Sequence, residues 1–154
     1  MKSIIESGGM AMIEVIARAV IIDQKAEKVL FCAPISKSYY YLPGGHVEAG
    51  EGAVAALRRE LREEMGKDIS DEKFSFAGAG ENFFIQEGKS HHEVNLYFRA
   101  DNVFSASKQI DPQEDHIVFQ WIALSTLDEF PILPKEIIPM IKTWAEDNSV
   151  LWND

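Results

Sequence analysis

Residues 13–22 read IEVIARAVII, apolar and β-branched nearly throughout, and predict a strand. A polar turn at 23–27 leads into KVLFCA at 28–33, a returning strand, so the two predict a hairpin. A short third strand is expected at Tyr39–Leu42, closed by Pro43-Gly44-Gly45. From 51 to 65 the period changes. Val54, Leu57, Leu61 and Met65 recur at helical spacing, and Gly66 follows as a terminator. Extended segments are expected at 73–79 and 81–85, then a turn at 86–90 and a strand at 91–100. A polar loop at 101–114 and a strand at 117–122 come next. Ser125-Thr126-Leu127-Asp128 has the form of a capping box opening a short helix. Pro134 suits the first turn of a last helix running to about Asp147. The order of strands, helix, strands and helix predicts an α/β fold, a mixed sheet with helices on its faces.

A chain of 154 residues makes one domain. Residues 1–11 read as a natural leader or an expression remnant, and 12–154 as the folded unit. The net charge of −10 disfavours a nucleic-acid polymer or an anionic membrane as partner. It also means that a phosphate ligand needs cations or a few placed arginines to neutralise it. The single cysteine, Cys32, sits in an apolar run and reads as a core residue. No apolar stretch approaches the roughly 20 residues that span a bilayer, and a soluble cytoplasmic protein is expected.

The helix at 51–65 carries the chemistry. Glu60, Glu63 and Glu64 share an arc of roughly 100° on a helical wheel, beside the apolar stripe. Carboxylates so placed repel and raise one another's pKa unless a cation sits among them. Magnesium answers that need, since it takes oxygen ligands and bridges to substrate phosphates. On residues 58–67 alone, a solvated face laced with pairs such as Arg59–Glu63 is the more ordinary explanation.

The upstream register separates the two readings. Glu51 follows Gly45 after five residues, and Arg59-Glu60 follows Glu51 after seven. Leu61, Glu63, Glu64 and Gly66 then fall in step. Such a pattern arises by chance roughly once per billion starting points. It resembles the signature of the Nudix hydrolases, with one departure, Lys67 standing where that family has an apolar residue.

The resemblance implies the Nudix fold, an α/β/α sandwich with a mixed β-sheet, its motif forming a loop–helix–loop. It implies a MutT-like enzyme that uses Mg²⁺ or Mn²⁺ to hydrolyse a nucleoside diphosphate linked to another moiety, a metal-activated water attacking phosphorus. Carried onto this chain, Glu60, Glu63, Glu64 and the Gly45 carbonyl are the expected metal ligands. Arg59 would orient the glutamates, and Glu51 would support them at the helix entrance. Glu60 is one candidate general base. Glu114 and Asp115, in the loop DPQEDHIVFQW, are the alternatives for a base or a further ligand. A homodimer is one assembly the family allows. A Nudix-fold nucleotide-binding or regulatory module without catalysis is the second reading.

For the substrate's other half, Gly44 permits close backbone approach. Tyr40 and Phe83 are singled out for stacking from the aromatics Tyr39, Tyr40, Tyr41, Phe83, Phe84 and Trp121. His91 and His92, adjacent on a strand, must face opposite sides and cannot form a metal pair.

Overall fold

The computed structural model describes residues 12–66 and 73–153; residues 1–11 and Lys67 lie outside them. The predicted first strand is real but breaks at Ile21. Strand β1 (Ile13–Val20) belongs to one sheet, and β2 (Ile22–Asp23) begins another. Strand β3 (Lys28–Pro34) returns antiparallel to β2 and continues against β7 (Ile117–Ala123). These three form the smaller sheet, in the order β2-β3-β7.

The larger sheet has the order β4-β1-β6-β5-β8. Its second member in chain order corrects the sequence reading. Tyr39–Leu42 is not a strand, and only single bridges tie Tyr41 to Cys32 and Tyr40 to Ile132. The strand lies a few residues later, as β4 (Gly44–His46), in the stretch expected to be a turn. It pairs antiparallel with β1, Ala17 opposite Gly45 and Arg18 opposite Gly44. Gly44 has φ +136°, and a Cβ there would lie 2.0 Å from the Ala17 carbonyl oxygen. Only glycine can make that approach.

Strand β5 (Ser75–Gln86) joins the two extended segments into one, with its register shifting between Phe76 and Gly78. A tight turn at Glu87-Gly88 sends it back as β6 (Lys89–Arg99). β6 then runs parallel to β1 along the whole of that strand. β8 (Leu151–Asn153), to which the sequence reading assigned no element, lies parallel on the outer edge of β5.

Helix α1 (Ala53–Met65) begins after Gly52 and ends at Gly66, which takes φ +65° and donates its N–H to the Arg62 carbonyl. The expected capping box does not form. Residues Leu124–Glu129 make a 3-10 turn directly out of β7, and the Thr126 hydroxyl donates back to the Ala123 carbonyl. Helix α2 (Ile137–Glu146) starts three residues past Pro134, because residues 134–136 are spent on the turn that leads into it.

Alternation along the strands sorts the core into two layers. Ala17, Ala19, Ile21 and Phe98 face α1 and pack on Leu57, Leu61 and Met65. Val20, Ile22, Phe31 and Tyr97 face the other way, onto Ile137, Ile141 and Trp144 of α2. The result is an α/β/α sandwich with a mixed sheet, as expected. Among the described residues, no helix is long and apolar enough to cross a membrane.

Candidate active site: a buried glutamate beside a sheet cleft

Helix α1 packs on β1 and β4 and so brings its acidic arc to the Gly44-Gly45 backbone. The three carboxylates meet different surroundings. Glu64 is buried, only 6% exposed, because its arc borders the Leu57–Leu61 stripe. Its Oε2 has no hydrogen-bond partner. Burial pushes its carboxyl up to about 8; the charges of Glu60 and Glu114 add to the rise, while Arg18 and the Gly44 N–H oppose it. Glu60 is partly buried and lies against Gly45, where a Cβ would come within 2.4 Å of its carboxyl carbon. Glu63 is half exposed and leans toward Arg59 at 3.7 Å.

Arg59 is the organiser. Its Nε and Nη2 donate to Glu51 Oε1 and Oε2 at 2.9 and 3.0 Å. Its Nη1 donates to Glu60 Oε1 at 2.7 Å, and Nη2 also donates to the His46 carbonyl. One guanidinium thereby ties the loop before α1, the end of β4 and a carboxylate on the helix. Its planar fork suits this task and a lysine's point charge does not. Glu51 in turn accepts the Glu48 N–H, which closes the turn before the helix.

The late loop arrives where the sequence reading placed a further carboxylate. The Gln113 N–H donates to the Glu64 carbonyl at 2.7 Å, so residues 111–116 lie along the end of α1. Glu114 raises the Glu64 pKa and itself contacts His116 Nε2 at 3.2 Å. Asp115 points fully into solvent.

Beyond Glu60 and Gly45 a cleft of about 660 Å³ opens over the α2 side of the sheet. Gly44 lines it, as do Tyr39, Tyr41 and Phe84. Tyr40 and Phe83, the two aromatics singled out for stacking, do not. The Tyr40 hydroxyl donates to Gln120 at 2.9 Å and its ring packs on Phe130. Phe83 projects from the opposite face of β5 and stacks on His92 at 4.2 Å. Strand alternation on β5 exchanged Phe83 for Phe84, while Tyr40, outside any strand, is held away by its bridge to Ile132 and its contacts with Gln120 and Phe130. Trp121 packs in the α1 layer. His91 and His92 do face opposite sides, the first on Glu14 and Phe84, the second on Glu81 and Phe83.

The sequence reading missed Arg18. Its Nη1 donates to the Leu42 carbonyl at 3.1 Å and its Nε to Asn95, and its guanidinium lies over the Tyr41 ring. It is a cation on the cleft wall, beside Gly44. The signal was present: a lone basic residue inside the apolar run IEVIARAVII.

The donor set fits a hard divalent cation. Carboxylates and a glycine backbone offer oxygen only, and Glu64 Oε2 is a buried oxygen with no hydrogen-bond partner, which such a cation would engage. Among the described residues, no three His, Cys, Asp or Glu side chains converge on one point as they stand. Water and phosphate oxygens would complete a magnesium shell, as that ion prefers. Cys32 takes no part. It is fully buried and its thiol is pushed up to about 12 by burial.

The comparisons agree with this geometry. The model of the NUDIX domain matches residues 12–143. The NAD-capped RNA hydrolase NudC of Pseudomonas aeruginosa is 33% identical over 104 residues, covering 63% of this chain and 34% of that protein. The chain thus spans about a third of the length of the curated relatives it matches. Two solved structures share the fold at 19% identity. The MutT protein of Bacillus halodurans has a TM-score of 0.68 over 90% of this chain and 86% of that one. The dihydroneopterin triphosphate pyrophosphohydrolase of E. coli also reaches 0.68, over 86% and 94%. With the motif register, the sandwich and the family match over most of its length, the chain belongs to the Nudix hydrolase family.

Proposed function

We propose that the protein is a hydrolase dependent on Mg²⁺ or Mn²⁺ that cleaves the pyrophosphate bond of a nucleoside diphosphate linked to another moiety. The observation that carries this reading is Glu64, a buried carboxylate with an unpartnered oxygen, held against the Gly44 backbone and within reach of the Glu60 charge, where Gly44 and Glu60 line a cleft whose wall bears Arg18. Such a group is costly to bury, and groups of this kind concentrate where a cation or a reaction uses them. Glu60, Glu63, Glu64 and the Gly45 carbonyl would hold the metal, which when bound supplies charge neutralisation and an acidified water.

The chain's own residues do the rest. Arg59 fixes Glu60 against Gly45, so the carboxylate is oriented before substrate arrives. Arg18 offers the cleft a fixed positive charge for phosphate oxygens in a protein of net charge −10. Gly44 and Gly45 leave the backbone open to close approach. Glu60, or Glu114 from the late loop, takes the proton of the attacking water. The substrate is a small molecule, and the protein works in the cytoplasm.

A panel of nucleoside diphosphate compounds, incubated with Mg²⁺ or Mn²⁺ in ¹⁸O-labelled water, tests the reading. Turnover of at least one compound, with label in a phosphate product, is expected. Tight ligand binding with no product after long incubation would instead favour a non-catalytic binding module.

A further inference from the structure

From Arg18 the floor of the cleft carries a row of polar contacts whose other members hydrolysis does not use. Arg18 Nε donates to Asn95 Oδ1 at 3.4 Å. Asn95 Nδ2 reaches Glu93 Oε2 at 3.5 Å, and Asn82 Nδ2 reaches the same oxygen at 3.4 Å. The contacts are long, but their polarity follows from chemistry. A guanidinium has no acceptor, so Asn95 must turn its oxygen toward Arg18. Its amide nitrogen then faces Glu93, which accepts. Asn95 is 2% exposed, which holds it in this arrangement. Asn82 also directs its amide nitrogen at Glu93. The groups left over on these cleft-lining residues, Glu93 Oε1 and Asn82 Oδ1, are both acceptors.

Their place matters as much as their polarity. The cleft runs from Gly45 on β4 across β1 and β6 to Asn82 and Phe84 on β5. That is three strand spacings, roughly 14 Å. It is long enough to hold phosphates at one end and a nucleoside's ring at the other. At the far end Phe84 lies flat on His91, at 4.8 Å and 5°, and lines the cleft. Tyr39 and Tyr41 line it from the segment before β4. Aromatic walls admit a planar ring, and acceptors beside them read the ring's edge.

We propose that Glu93, seconded by Asn82, selects substrates whose distal group is a planar heterocycle with two adjacent N–H donors on one edge. The N1–H and exocyclic amine of a guanine-type ring have this chemistry, and Glu93 Oε1 and Asn82 Oδ1 offer the two acceptors it needs. A ring that offers a lone pair at the first of those positions, as adenine does, meets Glu93 acceptor to acceptor and is rejected. This deepens the hydrolase reading and rests on it for the orientation of the phosphates.

Two measurements keep the selectivity claim separate from the hydrolase claim. The first is equilibrium binding of GMP, IMP and AMP to the wild-type chain and to Glu93→Gln. The second is kcat/KM for GTP, ITP and ATP with Mg²⁺. GMP is expected to bind at least about tenfold more tightly than IMP or AMP, with the same order in kcat/KM. Glu93→Gln is expected to weaken GMP by a similar factor and bring the GMP to AMP ratio close to one. Equal binding of the three, no detectable binding of GMP, or a GMP preference that survives Glu93→Gln would overturn the proposal. If the preference in binding holds but no triphosphate is hydrolysed, the selectivity stands, and the hydrolase reading is decided separately by the wider nucleoside diphosphate panel.

Discussion

Arg59 grips Glu51 with two nitrogens on two oxygens, at 2.9 and 3.0 Å, and with the rest of its guanidinium holds Glu60 and the His46 carbonyl. Glu51 thus acts on Glu60 through Arg59. Its carboxyl is held below the ordinary value, first by the Arg59 hydrogen bonds and then by the Glu48 N–H. Supporting partners of this kind typically contribute 10–100-fold to metal affinity or activity. Glu51→Gln should therefore lower kcat/KM by about that factor. Arg59→Lys should do at least as much damage, because one ammonium cannot reproduce the fork. Kinetics on both variants, with circular dichroism confirming the fold, checks this.

Gly44 and Gly45 adjoin in sequence and fail differently. A Cβ at Gly45 meets the Glu60 carboxyl group at 2.4–2.7 Å, at the free end of a side chain. A Cβ at Gly44 meets the Ala17 carbonyl oxygen at 2.0 Å, and Gly44 also has positive φ. Gly45→Ala should fold, with a melting temperature near wild type, and lose divalent-ion affinity as Glu60 is displaced. Gly44→Ala should instead weaken the β1–β4 pairing and cost roughly 2 kcal/mol or more of stability. Denaturant midpoints and metal titration separate the two outcomes.

Asp23 anchors the long 101–116 loop to the end of β2. Its two oxygens accept the N–H groups of Ala106 and Ala26 at 2.8 and 3.0 Å. Those bonds, that from Ala106 foremost, hold its carboxyl below the ordinary value of 3.8. A depressed folded pKa means a stabilisation that is complete above the unfolded value and lost as pH falls through the folded one. Wild-type denaturant midpoints should thus drop as pH falls below about 4, and Asp23→Asn should show a smaller drop over the same window. Parallel slopes would remove Asp23 from this role.

The helix and its acidic arc were legible because one residue type at fixed spacing carries them. The 3.6-residue period placed Glu64 beside Leu57 and Leu61, and the structure buries it there. The sandwich was legible because α1 and α2 are strongly periodic. What the sequence hid depends on partners far along the chain. β4 is a strand only because β1 lies beside two glycines, and β8 only because Gly78 admits the Leu151 backbone. The choice between Phe83 and Phe84 turns on strand register, in which a slip of one residue exchanges the faces, and the choice between Tyr40 and Tyr41 turns on single bridges to Ile132 and Cys32. Arg18 joins the cleft through Asn95 and Leu42, 77 and 24 residues away. No local window contains that information.

Glu64 carries the central claim, that a buried carboxylate is retained for a cation and for catalysis at a cost to the fold. Glu64→Gln replaces a carboxyl whose ionisation burial opposes with a neutral amide of the same shape, and removes an anionic metal ligand. The most direct measurement is Mg²⁺-dependent turnover of a nucleoside diphosphate substrate by wild type and Glu64→Gln, with the denaturant midpoint of each in metal-free buffer. The account predicts that Glu64→Gln loses roughly 10²–10⁴-fold in kcat while its midpoint is equal or higher. Unchanged turnover, or a loss of activity matched by unfolding, would contradict it.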